Sequence, residues 1–290
     1  MDRINRVPAS AGAEWLMGGF RLLRRAPLGL GLLGAIFGAF GLLANIAMQG
    51  GAVTIAMLLQ LAFILAGPLL LAGLVHAARE VDQGRPASPA HLLRGVREGK
   101  ASRLLATLLP QVAAMGICLV LLFLMIGPAQ LEAFSAAMQE IQGQAKPDPA
   151  VLDGLPVGRL FLWVLMVLAI GVVAGFFNFT AVPEILFTDR AALPSMLQSF
   201  RGCVRNLPAL LVFFVLLVIA ALVLNFGVML VAAIVGALFG PAAMQVVVQL
   251  LVMAVLMPVV TGAMYTAWKQ VHGAPEASVA SQSAPAHFEA

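Results

Sequence analysis

The chain has 290 residues, of which 61% are hydrophobic and only 10% charged, whereas soluble domains carry roughly 25% charged residues. With a mean hydropathy of +0.99, this excludes an ordinary soluble domain; the apolar residues come in blocks near the roughly 20 needed to cross the hydrocarbon core as helix. The net charge of +4 reads as an orientation signal and not as nucleic-acid binding, because no basic run is interleaved with stacking aromatics.

Residues 1–26 hold Arg3, Arg6, Arg21, Arg24 and Arg25 against Asp2 and Glu14. Ser10 is placed to cap a helix that projects Trp15, Leu16, Gly19, Phe20, Leu22 and Leu23 on one face and Glu14, Arg21, Arg24 and Arg25 on the other. Such a helix is expected in the headgroup region, with Trp15 at the interface and the arginines toward anionic lipid. No cleavable leader is expected, since 26 residues precede the first apolar run and a second follows quickly. The first span should stay as a signal anchor.

The first two spans are read at 27–48 and 53–75, joined tightly at the uncharged Gln49, Gly50 and Gly51. The loop from His76 to Arg103 is basic, and within it Leu92, Leu93 and Val96 share a face opposite Arg94, Arg97 and Glu98. A third span is read at 104–126. The loop that follows, 127–158, is acidic; Leu131, Phe134, Met138 and Ile141 fall on one helical face, so it should fold back as an amphipathic helix before a Pro-rich stretch. The fourth span is read at 160–187, continuing as one helix through Pro183. The fifth and sixth, 208–231 and 243–267, meet at Gly240 and Pro241. Residues 27–268 thus form a transmembrane domain. Residues 269–290 have too little apolar content to pack and should be disordered.

Positive charge alternates along this chain: the segments before the first span, after the second and after the fourth are basic, and those between are uncharged or acidic. The positive-inside rule then gives six helices with both termini cytoplasmic. The expected fold is an all-α integral membrane protein made of three hairpins, each introduced by a basic interfacial segment, beginning near Ser10, Ser88 and Ala192. The spacing from Arg24 to Pro27 is repeated from Arg205 to Pro208, and that from Pro68 to Arg79 is repeated from Pro258 to Lys269. These matched spacings argue for an internal repeat.

Ala181-Val-Pro-Glu-Ile-Leu-Phe, followed by Ala192-Leu-Pro-Ser-Met-Leu-Gln-Ser-Phe-Arg-Gly-Cys-Val-Arg-Asn-Leu-Pro, resembles the helix-exit signature of an uncharacterised family of proteobacterial multi-pass inner-membrane proteins. The N-terminal Pro8-Ala-Ser and Phe20-Arg-Leu-Leu-Arg-Arg-Ala-Pro-Leu look like that family's start, and the resemblance covers about residues 7 to 270. More distantly, the chain is similar to the membrane domain fused to some bacterial glycerophosphodiester phosphodiesterases, without the hydrolase domain. The resemblance implies a bacterial inner-membrane location and this architecture; it implies no activity.

Among candidate binding residues, Glu184 stands out. At the centre of a span an acidic side chain costs about 2.5 to 3.5 kcal/mol on insertion scales, so it is either a buried carboxylate with a partner or a role, or an interfacial Glu near Arg190. Asn178 is a polar residue within the fourth span; Arg24, Arg25, Arg201 and Arg205 are placed for anionic headgroups. His76 and Glu80, four apart with Asp82 nearby, have the donor types for a divalent ion. A solvated helix end is the simpler reading, because no further His or Cys is spaced to complete a site. Cys118 and Cys203 fall in a span and a loop, where neither a disulfide nor a metal pair is expected. No Gly-rich phosphate loop, His-Glu-x-x-His or span serine is found, so an enzyme is not expected, and no cofactor or metal either. Gly31/Ala35/Ala39, Gly171/Gly175 and Ala232/Gly236/Gly240 offer small faces for helix packing. The expected partners are anionic membrane lipids and a second copy or an envelope protein, not nucleic acid. A transporter is a further alternative.

Overall fold

The structure is a computed structural model that describes residues 4–143 and 156–273. The described residues are helical throughout, with no strand. Six segments are long and apolar enough to cross a membrane: Pro27–Gln49, Val53–Asp82, Ala101–Met125, Val157–Phe187, Leu207–Phe239 and Pro241–His272. All six coincide with the spans read from sequence. The tail beyond Gly273 and the Pro-rich stretch at 144–155 lie outside the described residues.

The chain divides into two compact units: residues up to Thr107 together with those from Phe177, and Leu108–Phe176. In the first unit, α1 (Ala11–Arg25) precedes the hairpin α2 (Pro27–Gln49) and α3 (Val53–Asp82). A 3-10 turn, Pro89–Leu93, leads into the short helices α4 (Arg94–Arg97) and α5 (Ala101–Leu105). The second unit holds α6 (Leu109–Met125), α7 (Pro128–Gly143) and α8 (Val157–Phe176). The first unit resumes with α9 (Ala181–Phe187), α10 (Ala192–Arg205), α11 (Leu207–Phe239) and α12 (Pro241–His272). In the second unit α6 and α8 pack together, and Trp163 Nε1 donates to the Cys118 carbonyl at 3.0 Å. The amphipathic helix expected in the acidic loop is α7.

In the first unit α12 is the common neighbour, touching α1, α2, α3, α9 and α11. Burial gathers at one end of the spans: every buried residue of α12 lies from Pro258 onward, and nearly all of those in α3 lie from Pro68 onward. Two apolar clusters build this core. One joins Leu22, Leu30, Leu33, Leu74 and Leu92 to Tyr265 and Trp268, and the other joins Val75 and Leu104 to Val182, Ile185 and Met264. The remaining apolar surface of the spans is exposed, as expected where hydrocarbon tails are as apolar as leucine and drive no further burial.

The basic segments pack in a regular order. The 3-10 turn with α4 and α5 lies on α3, the returning helix of the hairpin before it; α10 lies on α9. The first basic segment, α1, packs instead on α12, the returning helix of the third hairpin. Close approach rests on glycine. A Cβ at Gly12 would strike the Ala209 carbonyl, one at Gly19 the Val259 carbonyl, and one at Gly262 would sit 2.9 Å from the Gly19 Cα.

Four expectations are corrected. The fourth span is not one helix: it breaks at 177–180 between α8 and α9. Pro183 has no N–H for the Phe179 carbonyl, and it is tolerated in the first turn of the new helix α9. Trp15 does not sit in lipid. It is 1% exposed, packed near Phe179 and Phe213, and its indole N–H donates to Gln270 Oε1 at 2.8 Å. Ser10 caps nothing, being helical itself with no side-chain bond to the helix; Ser88 does cap its turn, in a capping box with His91. Of the small-residue faces, Gly236 does pack closely, a Cβ there falling 3.2 Å from the Met244 side chain, but Gly171 and Gly175 have open space beside them, and the tightest contacts of the first span are at Gly34 and Gly38 against Met253 of α12.

Candidate functional site

Glu184 is buried, and both of its oxygens are engaged. In the first turn of α9, Oε2 accepts from the Trp268 indole at 2.7 Å, and Oε1 lies 3.5 Å from the Arg190 guanidinium. The α9 helix ends on cations that satisfy its free carbonyls: Lys100 Nζ donates to the Leu186 and Thr188 carbonyls at 2.7 and 3.2 Å, which suits a helix C-terminus. Phe187 lies under Arg79, 4.7 Å from guanidinium carbon to ring centre. Asn178 Nδ2 donates to the Thr107 carbonyl at 2.9 Å. Glu184 and Asn178 therefore tie elements together through these bonds, while the buried Asn178 Oδ1 accepts no hydrogen bond among the described residues.

Asn206, passed over in the sequence except as part of a motif, is a hub. Its side chain accepts from the Val7 N–H at 2.8 Å and donates to the Asn5 and Gly202 carbonyls, both at 3.0 Å. Beside it, Thr180 Oγ1 and Gln198 Nε2 meet the two ring nitrogens of His272 at 3.0 and 3.1 Å. Tyr265 and Lys269 both donate to Asp82 Oδ2, at 3.2 and 2.8 Å, and Arg25 approaches the same carboxylate at 3.7 Å. Apart from the bond to Gly202, these join residues from 57 to about 200 positions apart, which no local pattern pairs.

The third ligand that the spacing of His76 and Glu80 lacked is supplied by the fold. One donor atom each of His76, Glu80 and His91 lies within 4.8 Å of the others, and the two imidazoles meet edge to face at 5.2 Å. These atoms have other partners. Both Glu80 oxygens accept from Arg85, and His91 Nδ1 accepts from the Ser88 N–H at 3.3 Å. A cation there would compete with Arg85 for the Glu80 carboxylate. Burial holds the His91 imidazole below its ordinary pKa; Glu80 opposes this, and Arg94 and Arg85 add to it.

Cys203 faces inward, 4% exposed. Burial pushes its thiol up to about 12, against a smaller downward pull from its hydrogen bond with Ser199.

What remains outward is a repeated surface. On α1, Met17, Phe20, Arg21 and Arg24 form an exposed stripe at successive helical turns. On the 3-10 turn and α4 the exposed side chains include Leu93, Val96, Arg97 and Arg94, the last of these paired with Glu98; on α10 they include Leu193, Leu197, Arg201, Val204 and Arg205. The buried face of α10 is mixed, with Ser195, Gln198, Ser199 and Gly202 beside Met196 and Cys203. Arg24, Arg97, Arg201 and Arg205 make no ion pair among the described residues; Arg25, still exposed, is the candidate that pairs with protein, through Asp82. No family model, curated protein or solved structure matches the chain.

Proposed function

We propose that this chain is a non-enzymatic protein of the bacterial inner membrane, with both termini cytoplasmic, that binds or handles anionic lipid through its basic interfacial segments. The observation that carries this reading is the outward surface of α1, α4 and α10. Each turns large apolar side chains and unpaired arginines to the outside together, although a helix docked on protein could have turned either set inward. Apolar side chains there suit the acyl boundary and the arginines suit phosphates, each near an anionic surface being worth about 1 kcal/mol, or roughly fivefold in affinity.

The test is native mass spectrometry of the purified protein titrated with phosphatidylglycerol and phosphatidylcholine. The reading expects preferential retention of the anionic lipid, and loss of that preference when Arg24, Arg97, Arg201 and Arg205 are together replaced by Gln. Equal retention of both lipids by the wild type would remove it.

A second reading, an assembly component of an envelope complex or of a homo-oligomer, is favoured by α6, none of whose residues is buried. Crosslinking from α6 in native membranes would recover a partner protein or a second copy; recovery of lipid adducts alone would count against it.

A further inference from the structure

An apolar groove of about 360 Å³ runs between α11 and α12. Leu217, Ala220 and Leu224 form one wall, Val255 and Val259 the other, and Phe20 of α1 closes one end. Its lining is almost wholly carbon. Phe20 also lines a second, adjoining depression with Met17, Arg21 and Arg24. One phenyl ring thus joins an apolar channel to a pair of exposed cations.

The direction of the groove matters. Val259 and Leu217 lie nearer the span ends where the basic segments dock, and Val255 and Leu224 lie farther into the spans. From Leu217 to Leu224 the groove follows α11 for roughly 10 Å. Its cationic end is therefore at the basic side and its apolar end points toward the middle of the spans. A soluble ligand would gain little from a polar-free channel, whereas a chain-bearing phosphate matches it at both ends.

We propose that this groove holds one acyl chain of an anionic glycerophospholipid, with its phosphate against Arg21 and Arg24. The proposal rests on the lipid-binding reading above and gives it a single seat and pose. Ala220 and the adjacent Ala221 are the small residues that leave room for the chain. The guanidinium pair supplies charge-assisted donors to the phosphate oxygens.

The full chain in detergent, titrated with phosphatidylglycerol or phosphatidylcholine and read by native mass spectrometry, tests this. Wild type should keep one phosphatidylglycerol after more weakly held lipids are lost. Ala220→Phe or Ala221→Phe, which fill the groove, should weaken that last lipid at least tenfold, with other anionic lipids still preferred over phosphatidylcholine. Arg21→Gln with Arg24→Gln, both on the exposed stripe, should weaken phosphatidylglycerol and leave phosphatidylcholine unchanged. Benzoylphenylalanine at Phe20 reads the seat without filling it and should crosslink to the phosphatidylglycerol chain. Retention of the tight lipid in both filled variants, or crosslinking at Phe20 to protein alone, would overturn the groove while leaving the broader lipid reading standing. Absence of any phosphatidylglycerol preference in wild type would overturn both.

Discussion

Trp268 of α12 donates its indole N–H to Glu184 of α9 at 2.7 Å, with both side chains buried. The carboxylate that a transport hypothesis would single out is thus a fixed acceptor that joins the fourth and sixth spanning segments. Replacing Glu184 by Leu strands a buried N–H and leaves Arg190 without this carboxylate, at a cost of about 1–3 kcal/mol. Glu184→Gln keeps an acceptor for the indole and should cost less. Thermal unfolding in detergent checks the order wild type, Gln, Leu; a Leu variant as stable as wild type would show that the pair contributes nothing.

Gly19 and Gly262 meet where α1 crosses α12. Gly262→Val forces side-chain carbon against the Gly19 backbone and should lower stability by about 1–3 kcal/mol, loosening α1. Gly227→Ala on α11, where nothing lies within 4 Å, should be neutral or slightly stabilising. Limited proteolysis within α1 together with melting temperature reads both effects. Equal behaviour of the two variants would mean that α1 is not seated as described.

Cys203 is a poor reporter of topology, although its place in a basic segment suggests a good one. Buried and with its thiol pushed up to about 12, it should resist impermeant maleimide from either side of the membrane until the protein is unfolded. Ala191→Cys, at the exposed start of α10, should label in inside-out vesicles and not in intact spheroplasts. Labelling from the outside only would reverse the proposed orientation.

The lowered pKa of His91, caused first by burial, makes stability depend on pH. The unfolded chain binds the His91 proton more readily than the folded one. This contribution is therefore present above the ordinary value of about 6.5 and is lost as pH falls through the lower folded value. Melting temperature should drop on acidification below pH about 6.5, and His91→Gln should flatten that slope. An unchanged slope would assign the effect to other groups. Glu80, His76, Arg85 and Arg94 surround the ring, so the variant must be compared at matched ionic strength.

The six spans, the basic segment before each hairpin and the helix α7 in the acidic loop are legible in the linear chain. These follow from local quantities: the length of apolar runs, the placing of charge and the 3.6-residue period. For Glu184 the sequence left two readings open, a buried carboxylate with a partner or an interfacial Glu near Arg190; in the fold it is buried and meets both Trp268 and Arg190. Which face of each amphipathic helix turns inward is set by packing between distant segments, because an amphipathic pattern offers an apolar face equally to lipid and to protein. Trp15 is buried with its indole on Gln270, on a helix whose Gly12 and Gly19 sit against Ala209 and Val259, and α10 buries Ser195, Ser199 and Gly202 with Met196 and Cys203 while leaving Leu193 and Leu197 outside. The break before α9, the Trp268–Glu184 bond, the convergence of His91 on His76 and the groove under Phe20 likewise depend on residues from distant parts of the chain being brought together. Periodicity within a single helix carries no information about what lies across from it, so those features became legible only once the helices were packed.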